Sequence, residues 1–349
     1  MSDQLKIPLA FANKEEVFNK EMTVLAADVG GTKTNLALYK IYKGDFSLVI
    51  EKSYHSSKYP TLIDIINLFI SENNLTLPDR VCAGVAGPII HGKAKITNLS
   101  WDIVVTDICK QTGVNQVHLL NDLEATGYGL ARLTKDDILT LHEGDASVQG
   151  NIAIIAPGTG LGEAGLFWDG SSYHPFPTEG GHCDFCPRTD LDIALFRFLQ
   201  KKYGIVSWEK AVAGPGIHDI YIFLRSIRNG VEPTWLSDAL LQEDPTAVIS
   251  HAAVEKKDAV CCETMELFVR YLARESSNLV LKMKATGGLF IGGGIPPKIA
   301  PLLQDGSYYK NYLDSDRMED LLQQAPLHII TNENTALIGA AYYGAYGAF

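Results

Sequence analysis

A carboxylate that closes an apolar run sits on rigid backbone while its side chain can face a ligand. "LLND" supplies one, since Asn121-Asp122 end the run "NQVHLLND" (115–122). A sugar hydroxyl is a poor nucleophile, and a carboxylate that accepts its proton is the expected helper in phosphoryl transfer. Taken alone, Asp122 serves equally well as the N-cap of a helix beginning "LEATG". A second cluster, "TEGGHCDF", sets Glu179 and His182 three residues apart around a glycine pair. A carboxylate and an imidazole offer an acceptor and a donor to vicinal hydroxyls, and the glycines are expected to let the backbone approach a ligand.

Anion chemistry points to two further stretches, "DVGGTKTN" (28–35) and "GTGLG" (158–162). Gly30, Gly31, Thr32 and Lys33 in the first, and Gly158, Thr159 and Gly160 in the second, read as turns whose N–H groups and hydroxyls converge on phosphate. Asp28 ends the strand before the first turn and is placed to hold a hydrated Mg2+. A third turn, Gly292, Gly293 and Gly294, follows the apolar run "GGLFI".

Rival loop readings fail on context. Gly160, Gly162 and Gly165 fit the dinucleotide spacing G-x-G-x-x-G, but "LFWDGSSYHPFP" follows, which is hairpin chemistry rather than a helix. "GPIIHGK" (87–93) nearly matches a Walker A loop, yet Ala94 lacks the hydroxyl Mg2+ needs and Pro88 lacks an N–H. That stretch reads as a hairpin. His182, Cys183 and Cys186 form an incomplete metal set, and the two cysteines read as buried or half-buried thiols.

The elements that must position these residues follow from periodicity. "TVLAADV" (23–29), "NLALYKI" and "FSLVIEKSYH" read as a strand meander, and Pro60-Thr61 as the start of a helix carrying Ile63, Ile66 and Ile70. "RVCAGVAG" (80–87) and the run at 115–122 are further strands, with a helix at about 103–112. The second half reopens with strands at 151–160, 163–170 and 171–176. Helices dominate from about 190 to 286, where Met265, Phe268, Val269 and Leu272 share one face. "GGLFIGGG" and "PLHIIT" (326–331) are late strands before the small-residue helix "NTALIGAAYYGA". "ADVGGTKTNLAL" and "APGTGLGEAGLF" are thus both strand, glycine-threonine turn, strand, one per half, suggesting a ligand held between two similar domains.

Bulk properties bound the partners. The chain has 349 residues, 46% hydrophobic and 20% charged, which suits a globular protein of two domains. A net charge of -11 argues against nucleic acid or an anionic membrane as a main partner. No apolar run is long enough to span a bilayer, no secretory signal is evident, and six sparse cysteines suit reduced thiols, so a cytoplasmic setting is expected. The sequons at Asn74 and Asn98 carry no weight in that setting.

Taken in order, "DVGGTKTN", "LLNDLEATGYGL", "APGTGLGEAGL", "PTEGGHCDF" and "GGLFIGGGIPPKI" resemble the bacterial glucokinase family of the sugar-kinase and actin-like ATPase superfamily, over roughly residues 23–343. The resemblance implies an α/β, two-domain ribonuclease-H-like (actin-like ATPase) fold with the active site in the interdomain cleft. It also implies a C-terminal helix packed on the N-terminal domain. The expected divisions are an extension at 1–21, a small domain of 22–122 plus 334–349, and a large domain of 123–333. By resemblance Asp122 is the general base for the glucose 6-hydroxyl, and Asn98, Asn121, Glu179, His182 and Glu209 join it in binding sugar. Glu209 by itself reads equally as a solvated helix carboxylate. Thr32 and Thr159 would contact the ATP phosphates, and Gly292–Gly294 the adenosine, with Mg2+ as cofactor. A homodimer is expected from the same family. Alternatives are a kinase for another hexose or an N-acetylhexosamine, or a non-enzymatic actin-like filament or sugar-responsive repressor.

Overall fold

The computed structural model describes residues 4–11, 17–96, 99–145, 147–228 and 230–348. Two units emerge from the chain. The first takes residues through Asp137, the segment Asp169–Pro177 and the stretch from Asn332 onward; the second takes Ile138–Trp168 and Thr178–Thr331.

In the first unit, strands β1 (Met22–Val29), β2 (Lys33–Tyr42) and β3 (Asp45–His55) form the expected antiparallel meander. β4 (Arg80–Val85) pairs parallel with β1. The hairpin read from "GPIIHGK" is present as β5 (Ile89–Ile90) and β6 (Lys93–Ile96), to which β7 (Trp101–Val104) adds. β8 (Gln116–Asn121) completes the main sheet in the order β3-β2-β1-β4-β8. The parallel strands β1 and β4 are nearly continuous apolar runs, as strands covered on both faces must be, whereas β8 at the edge of the sheet is half polar. Helix α1 (Leu62–Glu72) starts where Thr61 accepts the Asp64 N–H at 3.2 Å, and it buries Leu62, Ile65, Ile66 and Phe69. The helix expected from residue 103 begins later, as α2 (Val105–Thr112), because Trp101 and Ile103 alternate inward on β7. Helix α3 (Asp122–Leu130) follows β8 without a loop.

The C-terminal helix, Thr335–Tyr346, lies against β1, β4 and α3. Its fit depends on missing side chains. A Cβ on Gly339 would stand 1.8 Å from the Ala125 carbonyl oxygen, and one on Gly129 would stand 2.1 Å from the Thr335 carbonyl oxygen. The two helices therefore touch backbone to backbone. Arg80 closes the helix by donating from Nη1 to the Gly344 and Ala345 carbonyls at 3.1 and 2.9 Å. This packing carries the first unit past Asp122, where sequence alone drew the boundary, to Asp137.

Within the stretch read as an N-terminal extension, residues 1–3 and 12–16 lie outside the described residues. Residues 4–11 are built into the first unit. The Leu5 N–H donates to the Leu133 carbonyl at 2.8 Å, and Pro8 and Ala10 exchange backbone bonds with Tyr173. Leu9 is buried, and the Phe11 ring meets Tyr128, Tyr342 and Tyr346 with centroids 5.4–5.8 Å apart.

The second unit repeats the plan. β9 (Ile138–His142), absent from the sequence reading, lines one edge. β10 (Ile152–Pro157) and β11 (Leu161–Trp168) form a hairpin, β11 starting two residues earlier than expected because Pro157 pairs with Leu161. The third expected strand, Tyr173–Thr178, falls within the first unit's segment Asp169–Pro177 except for its last residue. β12 (Gly288–Ile291) and β13 (Leu327–Ile330) run parallel to β10, and β9 is antiparallel to β13. Helices α4 (Asp190–Tyr203), α5 (Gly214–Ile227), α6 (Thr234–Gln242), α7 (Pro245–Val254) and α8 (Ala259–Met283) supply the core. Met265, Phe268, Val269 and Leu272 are all buried on α8, as their spacing predicts. Among the described residues no helix is long and apolar enough to cross a membrane.

Candidate functional site

In the first unit the candidate residues gather at the carboxyl ends of β1, β4 and β8, where open α/β sheets bind ligands. Val29 pairs with Thr34, so Gly30–Lys33 form the β1–β2 turn, with Thr32 and Lys33 exposed at its tip. The Gly30 N–H is spent on the Lys33 carbonyl at 3.0 Å. Ser56 braces the turn from behind, donating from Oγ to the Gly30 carbonyl at 2.9 Å and from its N–H to the Thr32 carbonyl. Neither Gly30 nor Gly31 has a positive φ. Gly30 is needed for room instead: a Cβ there would lie 3.1 Å from the Lys33 oxygen.

Asp28 precedes this turn, partly buried, with Asn35 Nδ2 3.5 Å from its Oδ2. Burial pushes its pKa up, opposed by the Asn35 hydrogen bond and the Lys33 charge. A cation beside Asp28 would favour its ionised form. Among the described residues no cluster of three or more His, Cys, Asp or Glu side chains forms a metal cage. A lone carboxylate fits Mg2+ that keeps its waters and arrives with phosphates.

At the end of β8, the choice between cap and catalyst for Asp122 is decided locally. The N-cap of α3 is Asn121, whose Oδ1 accepts from the N–H groups of Leu123 and Glu124 at 3.0 and 3.2 Å. Its Nδ2 donates to the Gly87 carbonyl at 3.2 Å, which leaves the second amide hydrogen as what Asn121 can offer a ligand. Asp122 is the first helical residue, partly exposed, and its Oδ1 accepts from the Leu123 N–H at 2.9 Å. The correction is that Asn121, not Asp122, caps this helix. Asn98 lies outside the described residues.

The second unit gathers its candidates at the matching end of β10, β11 and β12. Gly158, Thr159 and Gly160 form the β10–β11 turn, closed by the Gly158 N–H donating to the Gly160 carbonyl at 2.8 Å. The Gly214 N–H, at the start of α5, donates to the Gly158 carbonyl, and Thr159 is exposed at the tip. Gly158 and Gly160 also lack positive φ, whereas Gly293 has φ +81° and sits where a Cβ would be 2.4 Å from the Pro157 oxygen. Gly292 donates to the Ile155 carbonyl, and Gly294 is exposed with open space beside it.

Glu209 is neither solvated nor helical in the ordinary sense. It stands on a single 3-10 turn, Trp208–Lys210, and its Oε2 accepts the Leu161 N–H at 3.2 Å. A Cβ on Gly160 would lie 2.7 Å from that oxygen, so Glu209 braces the Gly158–Gly160 turn. Lys210 neutralises its other oxygen at 2.9 Å.

Glu179 and His182 flank the turn Gly180–His182, with His182 Nε2 4.0 Å from Glu179 Oε2 and both side chains exposed. The glycine pair between them answers to the protein rather than to a ligand. A Cβ on Gly181 would fall 2.1 Å from the Leu161 oxygen, and one on Gly180 would fall 1.9 Å from Glu163 Oε2. Glu163 was not read from the sequence as part of any site. Its signal was a carboxylate on the inward face of an otherwise apolar strand. Cys183 and Cys186 are exposed, which corrects the expectation of buried or half-buried thiols.

Each unit thus carries a hairpin-led mixed sheet with a glycine-threonine turn at one end, the plan of the ribonuclease-H-like, actin-like ATPase fold used by sugar kinases. Solved structures agree with that class. A glucokinase from an Antarctic psychrotroph is 30% identical with a TM-score of 0.78, the match covering 92% of this chain and 98% of that one. A glucokinase from Balamuthia mandrillaris, solved in complex with glucose, gives a TM-score of 0.79 at 21% identity, with 94% of each chain covered, and so speaks for the fold. In sequence, the glucokinase of Nostoc punctiforme is 39% identical over 336 residues, 92% of this chain and 98% of that protein. The family model described as Glucokinase matches residues 25–346. The chain belongs to the glucokinase family. Membership in this enzyme family removes the non-enzymatic filament and repressor readings.

Proposed function

We propose that the protein transfers the γ-phosphoryl group of ATP to the 6-hydroxyl of D-glucose, with Asp122 as general base. The observation that carries this role is the capping of α3 by Asn121, which gives the helix terminus another acceptor and sets the Asp122 carboxylate at its rim. Asp122 takes the proton of the 6-hydroxyl as the oxygen attacks phosphorus, and Asn121, Asn98, Glu179, His182 and Glu209 hold the remaining hydroxyls. Thr32, Lys33 and Thr159 are the residues that grip phosphate oxygens. Gly292–Gly294 leave room for the nucleoside. Mg2+, when bound with the nucleotide, neutralises phosphate charge, and Asp28 is the residue that would hold it through water.

The test is a coupled phosphorylation assay across glucose, other hexoses and N-acetylhexosamines, on wild type and Asp122→Asn. The variant is expected to lose kcat by about 10²-fold or more while its glucose Kd changes little. Near-normal turnover would remove Asp122 from its role, and a preference for an N-acetylhexosamine would change the substrate.

A further inference from the structure

Behind the turn that carries Glu179 and His182 lies a pair of acidic groups with no solvent. Glu163 of β11 is 2% exposed and the side chain of Glu275 on α8 is 0% exposed. Their carboxyls lie close enough to act directly on one another. Glu275 is otherwise satisfied: its Oε2 accepts from Asn278 Nδ2 at 2.8 Å, and its Oε1 lies 3.4 Å from Lys282 Nζ. Glu163 is not, since its Oε1 is buried without a hydrogen-bond partner. Its Oε2 occupies the space a Gly180 side chain would need, and its backbone carbonyl accepts from Thr178 Oγ1 at 2.9 Å. The turn therefore rests directly on this carboxyl.

Two buried carboxylates in contact cannot both be ionised at little cost when one lysine, itself half exposed, is the cation beside them. The charged groups acting on Glu163 are Glu275 and Lys282, both on α8. β10 sets Ile155 opposite it, while Glu179 and His182 of the turn point outward, 57% and 62% exposed.

We propose that Glu163 is a positioning residue for sugar binding, and that the Glu163–Glu275 pair holds the Gly180–His182 turn in its binding form while the two carboxyls share one proton. The inference rests on the reading of Glu179 and His182 as sugar ligands. Loss of the shared proton sets two like charges beneath Gly180, one of them on a carboxyl whose Oε1 has no hydrogen-bond partner, and displaces the turn that rests on it. Burial, joined by the charge of Glu275, pushes the Glu163 carboxyl up to about 8, which places that loss in an accessible range.

The test is steady-state kinetics between pH 7 and pH 9 on wild type, Glu163→Gln and Glu163→Ala, with glucose and ATP varied separately. In wild type the KM for glucose is expected to rise about tenfold across that range, the linkage limit for binding that requires the proton, while the KM for ATP stays within about twofold. Glu163→Gln, whose amide donates to Glu275 with no proton to lose, rescues the neutral-pH KM and removes the alkaline rise. Glu163→Ala raises the glucose KM at every pH. A wild-type KM that stays flat, or a Glu163→Gln profile that rises like wild type, overturns the proposal. The wild-type profile stands alone should a variant fail to fold. No transfer to glucose at any pH would refute the proposed function; transfer with a flat KM refutes only this inference.

Discussion

Gly339→Ala tests whether the C-terminal helix sets the position of Asp122. The new Cβ would stand 1.8 Å from the Ala125 carbonyl oxygen and 2.6 Å from the Gly129 nitrogen, both backbone atoms of α3. Carbon and oxygen need about 3.3 Å, so the two helices must part by about 1.5 Å. Overpacking of this kind costs about 1–3 kcal/mol, and a rigid backbone neighbour places the cost toward the top of that range. Because α3 begins at Asp122, the same shift moves the proposed base, and an ångström of misplacement can cost about 10²-fold in rate. Gly344→Ala is the internal control. On the same helix its Cβ would meet the Val24 side chain at 2.5 Å and the Cys82 Cβ at 3.1 Å, side-chain atoms of β1 and β4 rather than the backbone of α3, so stability should fall while kcat changes far less. Denaturant unfolding with kcat at saturating glucose and ATP gives both readings. If Gly339→Ala lost less than about 0.5 kcal/mol and kept its kcat, the backbone contact would not be what places α3.

Phe11→Ala should cost about 1–3 kcal/mol, measured by chemical denaturation, because Phe11 meets four tyrosine rings of the first unit, those of Tyr128, Tyr342, Tyr343 and Tyr346; an unchanged midpoint would show that residues 4–11 add nothing to stability. Asp192→Asn should cost about 3–5 kcal/mol, since the buried carboxylate accepts from Arg274, Arg270 and Tyr271 at 2.7, 3.0 and 2.9 Å. Burial works to raise the Asp192 pKa, but the Arg274 and Tyr271 bonds and the Arg188 N–H hold it down at about 2, so its stabilisation is present above the ordinary carboxylate range and is lost as pH falls toward 2. Glu124 is the opposite case. Burial pushes it up to about 7, so wild type loses stability as pH rises from the ordinary carboxylate range through 7. Glu124→Gln should flatten that slope in thermal melts from pH 5 to pH 8, and an unaltered slope would place the titration elsewhere.

Much of this architecture is legible in the sequence because it obeys short-range rules. The apolar runs ending in Asp28, Val85 and Asn121 announce parallel strands, and "GTGLG" is recognisable by its match to "DVGGTKTN". What escapes is what depends on neighbours distant in the chain. Nothing near Glu163 reveals that Glu275 faces it, so a carboxylate within a strand reads as noise. The glycines of "EGGH" and of the two turns suggest backbone freedom, but most of them are required by close approach, to Glu163, Leu161, Glu209 and Lys33. That requirement exists only once the units have folded. Leu9 and Phe11 belong to one short apolar patch, "IPLAFA", flanked by charged residues, and a patch that brief does not show by itself which surface it is anchored on. The capping of α3 is a one-residue matter, and the adjacent Asn and Asp are equally good caps by type.

The discontinuity of the first unit bears on how the chain is made. Its first strand, β1, leaves the ribosome before any residue of the second unit, and the helix that covers it leaves after the last of them. Every residue of the second unit is synthesised between them. The second unit can therefore complete its core while the first still waits with Val24, Cys82 and the neighbouring face of its sheet uncovered. Long-range pairing of this kind slows folding and prolongs the life of sticky intermediates. The vulnerable half of this protein during translation is the half that begins first.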